Sequence, residues 1–167
     1  MTLIIEDGSL VSGANSYVSD AEYVAYAAAR GKSIGLDATA REIELIKAMD
    51  YIEGHRAKFK GDKFTEEQAL QWPRAFVQID GFYIDTDEIP VDLKNAQLAA
   101  ASILNTEDLL LTGSNQNIQR EKLDKLEVAY FSGGSYETVR TETVDVYLNS
   151  LLKAAGGAGI NAQAFRA

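Results

Sequence analysis

"TEEQALQWPRAFVQIDGFYIDTDEIPVDLKNAQLAAASIL", residues 65–104, changes its periodicity along its length, and those changes decide the fold. Thr65 followed at the third position by Gln68 is a capping-box pattern, which predicts a short helix over residues 66–71. Pro73 stops it, because the residue before a proline is pushed towards extended geometry. Trp72, the sole tryptophan, therefore stands at the corner where the chain leaves that helix. "AFVQIDGFYID" then alternates around Asp80-Gly81, a dipeptide suited to a tight hairpin turn. Pro90 falls within the first turn of the next helix, where its missing N–H does no harm. Leu93, Ala96, Ala100, Ile103 and Leu104 follow at helical spacing and predict that helix's buried stripe. Helix, hairpin and helix in succession predict a mainly α domain with a small β element.

Upstream, "VSDAEYVAYAAARG" (18–31) pairs Ser19 as N-cap with Glu22 in a capping box, and Val18 with Tyr23 in a hydrophobic staple. Gly31 is suited to the left-handed position after the last turn. A helix is expected over residues 20–30, with Tyr23, Ala27 and Arg30 on one face, Val24 and Ala28 beside it, and only small groups buried. A longer helix is expected from about residue 38 to about 58, capped by Asp37 or Thr39, with Leu45, Ile46, Met49 and Ile52 as its stripe. It has to tolerate Gly54, at a cost of about 1 kcal/mol, before Gly61 stops it.

Downstream, "LLLTGSNQN" (109–117) reads as a loop with a C-cap at Gly113. Leu126, Val128 and Tyr130 alternate with Glu127 and Ala129 and predict a strand over 126–131. "SGGS" (132–135) is a flexible connection, and a final helix is expected over about 143–155, capped by Thr143. Its stripe is Val144, Tyr147, Leu148, Leu151 and Ala155. Residues 156–167 have no periodicity and read as a mobile tail. The organisation expected is thus one helical bundle over residues 1–155, carrying a short β-hairpin or strand element, followed by that tail.

The 167 residues allow one domain with a real core. With 46% hydrophobic and 25% charged residues, the composition is that of an ordinary globular protein. The absence of cysteine excludes disulfides, thiolate metal sites and cysteine nucleophiles. "MTLIIEDGSL" lacks a basic n-region and a long apolar run, so no signal peptide is expected, and no apolar stretch is long enough to span a membrane. The formal net charge is −9, and the densest basic stretch is the patch "HRAKFKGDK" (55–63). The summed field of such a chain should repel DNA.

Few residues invite a catalytic reading. The single histidine, His55, has no G-x-S-x-G partner and sits where a helix C-terminus favours it. Asp80, Asp85, Asp87 and Glu88 are crowded, but they lack the spacing of a calcium loop and read as turn and cap carboxylates. No phosphate-cradling glycine loop occurs. No catalytic residue, metal ligand or cofactor is expected, and the protein is not read as an enzyme. Trp72, Arg74, Phe76 and the "HRAKFK" patch could together make an aromatic, basic surface for a single strand. A tryptophan at a helix-to-hairpin corner is more often buried, so Trp72 with Pro73 is the expected structural anchor.

The progression "QALQWPR", "DG", "IP", "LKNAQ", preceded by "IIEDGSLVSGANSYVSDAEYVAYAAARG" and "AMDYIE", resembles a family of phage structural-cassette proteins labelled DnaT-like single-strand DNA-binding proteins. "REKLDKLEVAYF" and the following "LLKA" look like the end of head–tail connector proteins of tailed phages. The connector resemblance implies a non-catalytic ring in the virion neck, commonly dodecameric, with the portal protein, a tail or tail-completion protein and further copies of itself as partners. Double-stranded DNA would pass through it without specific binding, and the acidic balance suits such a conduit. The expected role is therefore a connector, with single-strand DNA binding as the alternative. Leu126, Val128, Tyr130, Val144, Tyr147, Leu148 and Leu151 are the expected partner contacts, since an apolar stripe left unpaired marks an interaction site.

Overall fold

A computed structural model describes residues 2–105, 120–123, 126–129 and 142–153. The Ser19 capping box forms as the sequence predicts: Ser19 Oγ accepts from the Glu22 N–H at 3.3 Å, and the Glu22 carboxylate accepts from the Ser19 N–H at 2.7 Å. Helix α1 runs Asp20–Arg30 and ends at Gly31, whose φ of 59° is the left-handed cap. Its buried face is Tyr23, Tyr26 and Ala27, so it buries two tyrosine rings rather than small groups alone. Tyr26 gains cover from its own helix, where the Arg30 guanidinium lies 3.9 Å from the ring centroid.

Helix α2 runs Ala38–Glu53, with Asp37 accepting from the Ala40 N–H at 2.8 Å. It stops short of residue 58. After Gly54 the chain winds on by tighter bonds, His55 N–H to Ile52 O at 2.9 Å and Lys58 N–H to His55 O at 2.8 Å, which deliver Phe59 into the core. The helix expected at 66–71 does not form. Gln68 uses its side chain instead: Oε1 accepts from Thr65 N–H at 2.8 Å, and Nε2 donates to Leu70 O at 2.8 Å and Pro73 O at 3.0 Å. Those carbonyls are satisfied without a helical ladder.

Strand β1 (Asp62–Lys63) pairs antiparallel with β2 (Arg74–Ala75), and β3 (Gln78–Ile79) pairs with β4 (Phe82–Tyr83). The Asp80-Gly81 turn has φ values of 51° and 89°, the doubly positive pattern of a type I′ hairpin.

Helix α3 (Val91–Leu104) is the centre of the molecule, packed against α2 and against α4 (Glu142–Leu148). Its position explains why Leu93, Ala96, Gln97, Leu98, Ala99, Ala100 and Ala101 are all buried, nearly all round the helix rather than on one stripe. Gln97 is buried among them although polar, and both polar atoms of its side chain are used. Oε1 accepts from Tyr17 N–H at 2.9 Å, and Nε2 donates to Ser16 Oγ at 2.8 Å and Leu45 O at 3.0 Å.

Strand β5 (Arg120–Leu123) pairs antiparallel with β6 (Leu126–Ala129), so the strand expected at 126 acquires a partner that the alternation did not signal. Helix α4 ends well before residue 155. Beyond it the chain pairs with the 58–60 segment, through Lys60 N–H to Leu151 O at 2.9 Å and Lys153 N–H to Lys58 O at 2.7 Å. That bridge takes the backbone groups a longer helix would have used. Tyr130, the Gly113 cap, the 132–135 loop and the 156–167 tail lie outside the described residues.

Candidate nucleic-acid interface

The corner at Trp72 divides buried aromatics from exposed ones. Trp72 is 0% exposed and meets Phe59 edge-on, ring centroids 6.0 Å apart at 84°. Its backbone N–H donates to the Tyr17 hydroxyl at 3.2 Å, and that hydroxyl donates to Glu53 Oε1 at 2.8 Å. Glu53 also accepts from the Gln71 N–H at 3.1 Å. Burial pushes the Glu53 carboxyl above its ordinary range, and burial, with Glu53 beside it, pushes the Tyr17 hydroxyl well above its own. Pro73 is buried with Trp72, and both sit in the structural position expected of an anchor. Trp72 Nε1 has no hydrogen-bond partner among the described residues.

Arg74 is equally committed to the fold. Its guanidinium donates to Lys60 O and Gly61 O, each at 2.8 Å, and to Gln71 Oε1 at 3.2 Å. Only 6% of it is exposed, so neither Trp72 nor Arg74 is presented to a ligand. Phe59, in the middle of the basic stretch, is buried as well. Trp72, Arg74 and Phe59 therefore drop out of the suggested aromatic and basic surface, and Phe76, Lys58 and Lys60 are what is left of it.

A different one is built beside it. Phe76, Phe82 and Tyr83 are 81%, 77% and 76% exposed, on the hairpin and the residue leading into it. Val77 is buried and Ile79 and Ile84 pack on the core, with Ile84 N–H donating to Val77 O at 3.0 Å. Those residues hold the hairpin base, while Phe82 and Tyr83 follow its turn outward. Phe76 is reached through a left-handed φ of 60°, a costly conformation for a bulky residue, and it turns the ring out of the apolar run.

One cation stands at the β3 edge, with others on the segments that lead to it. Lys60 Nζ donates to Gln78 O at 3.3 Å and to Ser150 O at 2.8 Å, which fixes its ammonium between the hairpin and the end of α4. Lys58 and Lys153, both exposed, are brought opposite each other by the Phe59–Leu152 bridge. Lys63 Nζ donates to Gln68 O at 2.9 Å. Phe76 belonged to the candidate surface in the sequence, but Phe82, Tyr83 and Lys153 did not. A signal for the first two existed: they follow directly on a two-residue turn, which leaves them near a tip with nothing to pack on.

The expected partner contacts are placed otherwise. Val144, Leu148 and Leu151 are fully buried in the core, and Tyr147 is half-buried against it. The stripe completes the protein's own core because α3 offers it an apolar face, so it is not an exposed patch. Leu126 and Val128 lie on β6, and Tyr130 lies outside the described residues. His55 lies just past α2, its Nδ1 3.1 Å from Tyr51 O. Among the described residues no group of His, Asp or Glu is placed to hold a metal ion, and no helix is long and apolar enough to cross a membrane. A cleft of about 540 Å³ lies between residues 10–13 and 65–69 and includes none of the exposed aromatics.

A family model described as "Putative DnaT-like ssDNA binding protein" matches residues 1–167, and the chain belongs to that family. No curated protein matches the chain, and no solved structure does. The family corrects the connector expectation: the description that covers the chain from end to end is that of single-strand DNA binding, with nothing in it of a portal-docked ring.

Proposed function

We propose that the protein binds single-stranded DNA, stacking bases on Phe76, Phe82 and Tyr83 and placing the sugar–phosphate chain along Lys58, Lys60 and Lys153. The observation that carries this reading is the exposure of three large aromatic side chains, two on the hairpin and one just before it, a costly arrangement for a monomer unless the rings are used. Membership of a family described by single-strand binding supports it. Stacking suits an acidic protein, because it draws on the π-face of any base and needs few phosphate contacts. The net charge of −9 keeps the electrostatic share small, so the affinity rests on the rings. No catalytic step is part of the proposal.

The test is fluorescence anisotropy with labelled oligo-dT across a salt series. Phe76→Ala, Phe82→Ala and Tyr83→Ala should each cost about 1–3 kcal/mol of binding, roughly 5- to 150-fold in Kd. The slope of log K against log salt should be shallow, about −2, as for a contact with about three phosphates. Absence of binding by the wild type, or ring variants that bind as it does, overturns the proposal.

A further inference from the structure

Two aspartates of the chain, Asp7 and Asp80, precede a glycine, and no asparagine does. Such a pair lets a carboxyl react with its own backbone, because a glycine on the far side leaves the amide nitrogen unhindered. The fold treats the two pairs oppositely. Gly8 is buried, its N–H donates to Glu6 Oε1 at 2.8 Å, and an added Cβ there would lie 1.7 Å from the Asp87 carbonyl oxygen. Asp7 Oδ1 accepts from Ser9 N–H at 3.0 Å. Hydrogen bonds from the Ser9 hydroxyl and N–H hold the Asp7 carboxyl below its ordinary range, in the ionised form that cyclises poorly. Asp80 and Gly81 are exposed at the hairpin turn. Among the described residues the Asp80 carboxylate makes no hydrogen bond or ion pair, and the Gly81 N–H has no acceptor. Nothing lies within 4 Å of where a Gly81 Cβ would stand, so the peptide between them has room to rotate. The side-chain tie across the turn is Gln78 Nε2, which donates to Gly81 O at 3.0 Å.

We propose that Asp80 is a site of spontaneous backbone isomerisation to isoaspartate, which displaces the exposed rings of the hairpin, and that the fold protects the like pair at Asp7-Gly8. The Gly81 nitrogen attacks Asp80 Cγ. A C–N bond forms, the amide proton and the carboxyl hydroxyl leave as water, and a cyclic imide results. Water then opens the imide at either carbonyl. Opening at Cγ restores aspartate, whereas opening at the original backbone carbonyl leaves the main chain running through Cβ and Cγ. The net change is an isomerisation, so no oxidant, reductant or co-reactant other than water is consumed. The altered turn is longer by one backbone atom. Turn length fixes the register of a two-residue hairpin, so the insertion works against the pairing of Ile79 with Phe82 and moves Phe82 and Tyr83 relative to Phe76. The consequence for DNA binding rests on the single-strand reading above, whereas the modification itself does not.

The test holds the full chain at neutral pH for weeks, folded in buffer and unfolded in urea, and reads tryptic peptides by mass spectrometry. Cleavage after Arg30, Arg74 and Lys94 puts Asp7 and Asp80 in separate peptides. The imide shows as the loss of one water, and isoaspartate by electron-transfer fragmentation at the altered bond. In the folded protein Asp80 should convert about tenfold or more faster than Asp7, which has to wait for its loop to open, and in urea the two rates should converge. Asp80→Glu, whose longer side chain cannot close the same ring, should show no isomer at that position. Equal folded-state rates at the two sites, or a faster Asp7, overturn the proposal. The isomer, separated by chromatography, should bind labelled oligo-dT about fivefold or more weakly than the unmodified chain, as for the loss of one stacked ring. An isomer that binds as the unmodified chain does overturns the displacement of the rings. A wild type that binds no oligo-dT overturns single-strand binding, while the peptide rates still decide the modification.

Discussion

Glu53 sits where α2 gives way to turns, and its carboxylate ties the Tyr17 hydroxyl and the Gln71 N–H to that helix end. Its carboxyl is raised by burial, so the folded chain binds a proton there more readily than the unfolded chain does. The sign follows: this group's contribution to stability is greatest below the unfolded glutamate value of about 4.3 and is lost as pH rises through the raised folded value. Wild type should therefore gain stability relative to Glu53→Gln as pH falls from about 7 to about 5, measured by urea unfolding. A difference that stays constant across that range rules the effect out. Trp72, hydrogen-bonded to the same tyrosine through its backbone, is fully buried against Phe59. Trp72→Ala should cost about 3–5 kcal/mol at an unchanged m-value, and a variant as stable as wild type would remove the anchor role. The burial of Trp72 was expected from the corner at Pro73, against the alternative of a base-stacking platform, although the helix expected to end there does not form. Gln97 and Glu6 were not legible. Glu6 is fully buried and accepts from Gly8, Leu10 and Val11 N–H groups at 2.8 to 3.0 Å, while Gln97 reaches partners 80 residues away. No local pattern records a hydrogen bond between distant segments, which accounts for Gln97 but not for Glu6, whose partners all lie within the next five residues.

Among the elements, those that close on themselves were the readable ones. The Ser19–Glu22 box and the Asp80-Gly81 turn are satisfied within a few residues, and both formed as predicted. The 66–71 helix failed because its signal was equally well met by a Gln68 loop, which the corner at Trp72 needs in order to turn inward. The 58–60 and 151–153 pairing was invisible for the opposite reason, since bridges between segments far apart in the chain leave no periodicity. The hairpin gives an element-scale prediction. Gly81 has a φ of 89° and open space where a Cβ would go, so a substitution there is opposed by backbone strain alone. Gly81→Val should cost on the order of 1–2 kcal/mol and loosen the register of Ile79 with Phe82. Oligo-dT binding should then weaken even though every aromatic and lysine is retained, as anisotropy would show. Undiminished binding would mean that the rings act without the hairpin's geometry.

At the scale of the whole molecule, the decisive feature is that α3 is covered on both sides, by α2 and by α4. The sequence reading gave the stripe of α4 to a partner, although an amphipathic helix looks the same whether it faces a partner or the protein itself. The structure places Val144, Leu148 and Leu151 in the core, and the contacts around them come from several directions. Ser150 Oγ donates to Asp92 Oδ2 on α3 at 2.6 Å, and the Lys60 ammonium reaches Ser150 O. Removing the segment would therefore strip α3 of one face and leave Phe59 without the Leu152 bridge. It would also take Lys153 from the proposed DNA path. Leu148→Ala alone should cost about 2–5 kcal/mol. Deleting residues 142–167 removes all three buried side chains together, and such a loss approaches the whole stability of an ordinary domain, about 5–15 kcal/mol. The truncated protein should be insoluble or should lack a cooperative unfolding transition by circular dichroism. A soluble, cooperatively folding truncation would show instead that α4 is an accessory to the core, and would return its stripe to the list of surfaces available to a partner.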